Sequence, residues 1–169
     1  MKIIVACDLN NAIGKNNKLL YKLADDMAYF KKMTTGNGNN AVVMGRKTFE
    51  SLPKPLRNRD NYVLTHDKDY KKDGAITINS FDELNNDDII NKYEDIWIIG
   101  GGSIYEQAMR ECDVTDIYLT KIYNKHPFAD IFFINLNDYD NIRLVEESCL
   151  HCDLQTRYPF IHRHYVVDK

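Results

Sequence analysis

Three consecutive glycines, Gly100, Gly101 and Gly102, stand between two apolar stretches in DIWIIGGGSIYEQAMR, residues Asp95 to Arg110. Ile96 to Ile99 is short, apolar and bounded by glycine, the pattern of a buried strand. Ser103 is a favoured helix-opening residue, and Ile104 to Met109 reads as the helix it opens. A strand that runs through bare glycines into a helix start commits the chain to an α/β arrangement. It also offers an anionic ligand close approach to backbone N–H groups at the positive end of a helix dipole. The spacing is not G-x-G-x-x-G, so the usual dinucleotide fingerprint is missing. A plain glycine turn would explain the same residues without a ligand.

The 169 residues suit one domain and allow a sizeable core. A net charge of -3 argues against a nucleic-acid binder that works by phosphate neutralisation. No apolar run approaches a membrane span, and Ile3 to Cys7 is too short for a signal-peptide core, so the cytoplasm is expected. Cys149 and Cys152 form one CxxC pair. It has no second pair, and the His162–His164 spacing does not suit zinc, so no metal is expected.

Ile3 to Cys7 reads as a central strand, apolar on both faces. Asp8 to Lys22 reads as a long polar loop, and loops of that length in compact domains are usually functional. Leu23 to Thr34 has helical periodicity, with Leu23, Met27, Phe30, Met33 and Thr34 on one face. Asp26 falls inside that apolar arc. An acid there is costly unless it has a partner or a task, although a first-turn carboxylate also gains from the helix dipole.

Ala41 to Met44 is a second strand, followed by Gly45-Arg46-Lys47-Thr48 and a short helix. This repeats the order strand, glycine, helix start, now with two cations, and suggests a ligand with more than one phosphate group. A solvated basic turn is the alternative. The prolines of Pro53 to Arg59 forbid regular structure and present two arginines from a stiff segment. Asn61 to Thr65 and Ala75 to Ile78 read as strands, with His66 at the end of the first. Ser80-Phe81-Asp82-Glu83 is a capping box that predicts a helix running on towards Tyr93. Asp116 to Ile122 alternates as a strand that places Thr120 on the face of Tyr118 and Ile122. Ile142 to Cys149 and Phe160 to Val167 read as closing strands, the latter a solvated edge carrying His162 and His164.

Together these segments resemble the dihydrofolate reductase family over nearly the whole chain. The resemblance is carried by Ala6, Ile13-Gly14, Asp26 with Phe30, Val43 to Ser51, Arg59, Ile98 to Gly102, Tyr105 and Tyr118-Leu119-Thr120. It implies one α/β domain over residues 1–169. The expected sheet has eight mostly parallel strands with an antiparallel C-terminal edge, flanked by about four helices.

The resemblance also implies a monomeric enzyme that reduces 7,8-dihydrofolate with NADPH. In that role Asp26 would bind the pterin and assist protonation of N5, with Thr120 supporting it and Tyr21 near the ordered water. Val5, Ala6, Met27, Phe30, Leu52 and Ile99 would pack the substrate, and Arg59 would clamp its glutamyl carboxylate. NADPH would lie along Ala6, Ile13, Gly14 and Leu19, then Gly45 to Thr48, then Leu64, Thr65 and His66. Gly100 to Tyr105 and Gln107 would complete its site. Arg46, Lys47 and His66 would face the 2′-phosphate. Asp8 to Tyr21 would be a lid, and Asp130 matches an acid that contacts it in some relatives.

Four positions depart from the family pattern, the first being Leu20, which stands where a proline is common. Tyr21 stands in place of a tryptophan, which puts the ordered water and the pH profile in question. Ala24 stands where the pattern Trp-x-Leu-Pro has proline. Ser103 replaces a frequent arginine, which implies modest cofactor affinity. A reductase of a ribosylated pyrimidine shares this fold, but its substrate gives Arg59 no carboxylate to hold. A binding protein that no longer catalyses would have little reason to keep Asp26, Arg59 and both glycine turns.

Overall fold

Alternating short apolar runs and amphipathic ones build twelve strands and four helices. The computed structural model describes residues 1–169. In chain order the strands are β1 (Lys2–Cys7), β2 (Ala12–Lys15), β3 (Lys18–Leu19), β4 (Asn40–Gly45), β5 (Arg59–Leu64) and β6 (Ile76–Ile78). They continue as β7 (Asp95–Gly100), β8 (Asp116–Ile122), β9 (Ile131–Phe132), β10 (Ile142–Glu147), β11 (His151–Cys152) and β12 (Pro159–Val167). The helices are α1 (Ala24–Thr35), α2 (Arg46–Ser51), α3 (Asp87–Ile90) and α4 (Gly102–Glu111).

The main sheet has the order β10-β12-β8-β1-β7-β4-β5-β6, with β11 added beside β12. Pairing is parallel from β8 to β6 and antiparallel from β8 through β12 to β10. That is the expected architecture, with a ninth, two-residue strand at the antiparallel end. β1 is central and sends alternate side chains to opposite faces. Ile3 and Val5 join Ile98, Tyr105 and Ala108 in the larger core beneath α4. Ile4 joins Val42, Met44 and Trp97 in the smaller core, against which Phe30 and Met33 of α1 pack.

α1 carries Asp25 and Asp26 in its first turn and Lys32 in its last, as the helix dipole favours, and Gly36 closes it at φ +51°. Its N-cap residue, Leu23, has no side chain with which to cap. The free N–H of Ala24 is taken instead by Asp153, 2.8 Å away and remote in sequence. Ala24 thus exposes an N–H that proline lacks, and the fold supplies an acceptor for it.

Three expectations are corrected. The loop after β1 contains the hairpin β2–β3, which pairs with β9 as a separate three-stranded sheet. The turn of this hairpin is Asn16-Asn17, both at positive φ, a conformation asparagine tolerates. The capping box at Ser80 opens only a single turn, Phe81–Glu83, because Asn86 accepts from the Asp88 N–H and starts the four-residue α3 afresh. Finally, β12 is no solvated edge: it lies between β10 and β8, and His162 faces inward against α1.

Candidate active site

Asp26 sits in the first turn of α1 with its side chain 15% exposed. Helical periodicity turns it towards the sheet, and strand alternation on β8 turns Thr120 to meet it. The Thr120 hydroxyl donates to Asp26 Oδ1 at 2.6 Å. Burial raises the Asp26 carboxyl above its ordinary value, and the Thr120 hydroxyl pulls the other way. The result is a carboxylate that holds its proton to higher pH than a solvated one, at the wall of a cavity.

That cavity measures about 770 Å³, large enough for two sizeable organic groups end to end. Around Asp26 its walls are apolar, from Val5, Ala6, Met27, Phe30, Leu52 and Ile99, with Leu56 added by the stiff segment before β5. Ile13, Gly14, Leu19 and Tyr21 close it from the hairpin side, with Asn17, Lys18 and Ile131. At the other end it is polar and cationic. Gly45, Arg46, Lys47 and Thr48 line it from the start of α2, and Leu64, Thr65, His66 and Asn79 from the ends of β5 and β6. Arg46 and Lys47 are exposed and take part in no ion pair within the protein.

The glycine turn supplies the remaining wall, through Gly101, Gly102, Ser103, Ile104, Tyr105 and Gln107. The three glycines answer different demands. Gly100 has φ +108° beneath the Tyr105 ring, whose hydroxyl donates to the Ile4 carbonyl at 2.9 Å. Gly102 is pinned by β9, since a Cβ there would come within 2.9 Å of the Phe132 oxygen. At Gly101 a Cβ would meet only the Thr48 hydroxyl, at an ordinary 3.5 Å. No packing requirement explains glycine there, whereas close approach of a cavity ligand does. No side chain caps the N-terminus of α4. Bare N–H groups, a bare Gly101 and unpaired cations together fit a large phosphate-bearing cofactor.

Two predicted site residues lie outside the cavity wall. Gly100 stands behind Gly101, and Arg59 lies three residues beyond Leu56 in the chain. Arg59 Nη1 donates to Thr34 Oγ1 at 2.6 Å and Nε to the Arg57 carbonyl at 3.1 Å, which leaves Nη2 free. Tyr21 reaches the wall, but its hydroxyl is committed elsewhere. It donates to Asp8 Oδ2 at 3.2 Å and accepts from Asn124 Nδ2 at 3.3 Å. Burial, then the Asp8 charge, pushes the Tyr21 phenol up to about 12.

Asp8 is the hidden anchor of this region. Its buried carboxylate accepts from the N–H groups of Asn10, Ala12 and His126 as well as from Tyr21. Asp130 accepts from the Asn16 N–H at 2.9 Å, so the acid noted in the sequence does touch the hairpin. No sequence signal marked Asp8, because its partners are mostly backbone groups. Cys149 and Cys152 are free and exposed, and no group of three or more His, Cys, Asp or Glu gathers as a metal would need.

The family model for dihydrofolate reductase matches residues 1–167. A dihydrofolate reductase of Haemophilus influenzae is 37% identical over 152 residues, covering 86% of this chain and 89% of the relative. One of Staphylococcus aureus is 39% identical over 133 residues, covering 79% of this chain and 77% of the relative. Among solved structures, dihydrofolate reductase from Enterococcus faecalis complexed with NADP(H) and RAB-propyl superposes with a TM-score of 0.84 at 26% identity. That superposition covers 99% of this chain and 96% of the other. The cavity, its buried acid and its two glycine turns thus stand in a chain that belongs to the dihydrofolate reductase family.

Proposed function

We propose that, as this chain reduces 7,8-dihydrofolate with NADPH, Asp26 is the group that brings the proton to N5. One observation carries the role: Asp26 is the carboxyl group on the cavity wall, largely buried, with Thr120 holding one oxygen. NADPH, when bound, supplies the hydride that C6 of the substrate receives. Saturating the C6–N5 double bond also needs a proton at N5, and burial makes the Asp26 carboxyl hold its proton to higher pH than a solvated acid does.

The other residues bind and orient. Met27, Phe30, Leu52 and Ile99 pack flat rings and exclude water, while the carboxylate accepts from ring donor groups. Arg59, tethered by Thr34, offers its free Nη2 to the tail carboxylate. Arg46, Lys47 and His66 take the extra phosphate of the cofactor, and Gly101 to Ser103 its diphosphate. The hairpin β2–β3 covers the middle of the cavity with Ile13, Gly14 and Leu19. Tyr21 acts at one remove, by holding Asp8 and so the base of that hairpin. Residues drawn from nearly the whole chain line this one cavity, in keeping with a single domain over residues 1–169 that works as a monomer. Four free cysteines suit the reducing cytoplasm.

The test is Asp26→Asn, which keeps the shape and part of the hydrogen bonding but cannot ionise. General acid–base assistance is worth about 10²–10⁴-fold, so kcat/KM for dihydrofolate should fall by that much at neutral pH. Acidification should return part of it, and NADPH affinity should hold. A variant within roughly threefold of the parent at neutral pH, far below that range, would reduce Asp26 to a helix-start carboxylate.

A further inference from the structure

The hydrogen-bonded chain behind Asp26 does not stop at Thr120. β12 runs antiparallel to β8 with His162 paired to Thr120, and His162 Nδ1 lies 3.0 Å from the same hydroxyl oxygen. A threonine hydroxyl has one hydrogen to give. Its 2.6 Å approach to Asp26 Oδ1 has the length of a charge-assisted O–H···O bond. If the hydrogen goes to the carboxylate, the oxygen accepts from the imidazole, which must then carry its proton on Nδ1. If the imidazole proton sat on Nε2, two acceptors would compete for one hydrogen and Asp26 would lose its share of the donor.

The surroundings fix the ring in this pose. It stacks on Tyr29 of α1, centroids 3.9 Å apart and planes 28° apart. The edge of Phe160 lies 5.3 Å away, centroid to centroid. The His162 backbone N–H is held by Ser148 Oγ at 3.0 Å, and the side chain is 16% exposed. The ionisable groups around it are Asp26 and Tyr29 from α1 and His151 from β11. Tyr118 of β8 and Glu146 of β10 act on Tyr29, and His164, two residues along, stacks on Tyr118. Burial, then repulsion from His151, pushes His162 down to about 4. The ring is therefore neutral at physiological pH and has a single N–H to place.

We propose that His162 is a positioning residue for the reaction: its Nδ1–H donates to Thr120 Oγ1 and thereby commits the threonine hydrogen to Asp26. This rests on the reading of Asp26 as the acid. Each bond in such a chain polarises the next, so the imidazole strengthens a bond it does not itself make. The strengthened bond favours the ionised carboxylate and moderates the rise that burial imposes on Asp26. Removing the imidazole donor therefore moves the pH dependence of catalysis upward without touching the cofactor site.

Variants at His162, alone and in a Thr120→Val background, and one direct measurement test this. His162→Phe keeps a ring to stack on Tyr29 but has no N–H. His162→Asn restores an amide nitrogen at the position of Nδ1. In His162→Phe the midpoint of the pH profile of hydride transfer should rise by roughly 0.3–1 unit. His162→Asn should return it towards the parent, with NADPH affinity unchanged in both. In a Thr120→Val background, His162→Phe should add no further shift. In the parent, ¹⁵N resonances of the His162 ring should report the Nδ1–H tautomer, a readout that needs no folded variant. An Nε2–H tautomer, a parental profile in His162→Phe, or the same shift with and without Thr120 would overturn the proposal. Asp26→Asn separates the two readings. If it keeps the parental rate, the acid itself is misassigned; if it loses the rate while the His162 variants shift nothing, only His162 is.

Discussion

Asp26 binds its proton more tightly in the folded protein than in the unfolded chain, because burial outweighs the help from Thr120. Below the ordinary carboxylate value of 3.8 both states are protonated and the residue costs nothing. As pH rises through the window between that value and the raised one, the folded state holds more proton than the unfolded chain. Stability falls through the window and stays lower above it. Asp26→Asn should therefore melt at a higher temperature than the parent at neutral pH, and the gap should close on acidification below the window. Thermal melts of both proteins across that range decide it; a variant that melts lower at neutral pH would mean the carboxylate is a net stabiliser.

The variant predicted to lose activity is thus also predicted to gain stability, a trade common at functional sites. Asp26 and Thr120 were both legible in the sequence, because helical and strand periodicity each specify a face. His162 was not. Periodicity sets its face on β12, but only the strand order says what that face meets.

At the scale of elements, the hairpin β2–β3 beside the cavity is tied down by one buried carboxylate. Asp8 joins the end of β1, the start of β2, Tyr21 just beyond β3 and the loop after β8 through His126. Asp8→Asn keeps one acceptor oxygen but turns an amide donor towards N–H or O–H groups that need an acceptor. A hydrogen bond to a charged group is worth about 1.5–3 kcal/mol, and at least one such bond is lost. Urea unfolding should show a lower midpoint with an unchanged slope. Hydrogen exchange should quicken in residues 10–21, and a parental midpoint would count Asp8 out as the anchor.

This element was also the hardest to read. The Asn16-Asn17 turn lacks the usual Asn-Gly signature, and the third strand of its sheet, Ile131–Phe132, is two residues long and remote. α3 is hidden for a more local reason: Asn86 opens a new helix where the capping box predicts one continuous helix.

Across the whole molecule the charge is -3, yet the polar end of the cavity, where we place the extra phosphate, carries Arg46 and Lys47. A local cationic field on an anionic protein acts at short range. The preference for NADPH over NADH should be about ten- to hundredfold in kcat/KM, the worth of one charged hydrogen bond. It should shrink as salt is added. Equal kcat/KM for the two cofactors would remove the phosphate role from these residues.

The strand order has a consequence for how the chain is made. β1 is central, yet its partners arrive late: Ile3 pairs with Ile98 on one side and Ile117 on the other. During synthesis the first strand therefore waits for roughly 95 residues before either edge is covered. At about 5–20 residues per second that is an interval on the order of five to twenty seconds. An apolar strand with two bare edges is a template for pairing with another chain. For those seconds both edges of Ile3 to Cys7 in a nascent chain lack the strands that cover them in the finished sheet.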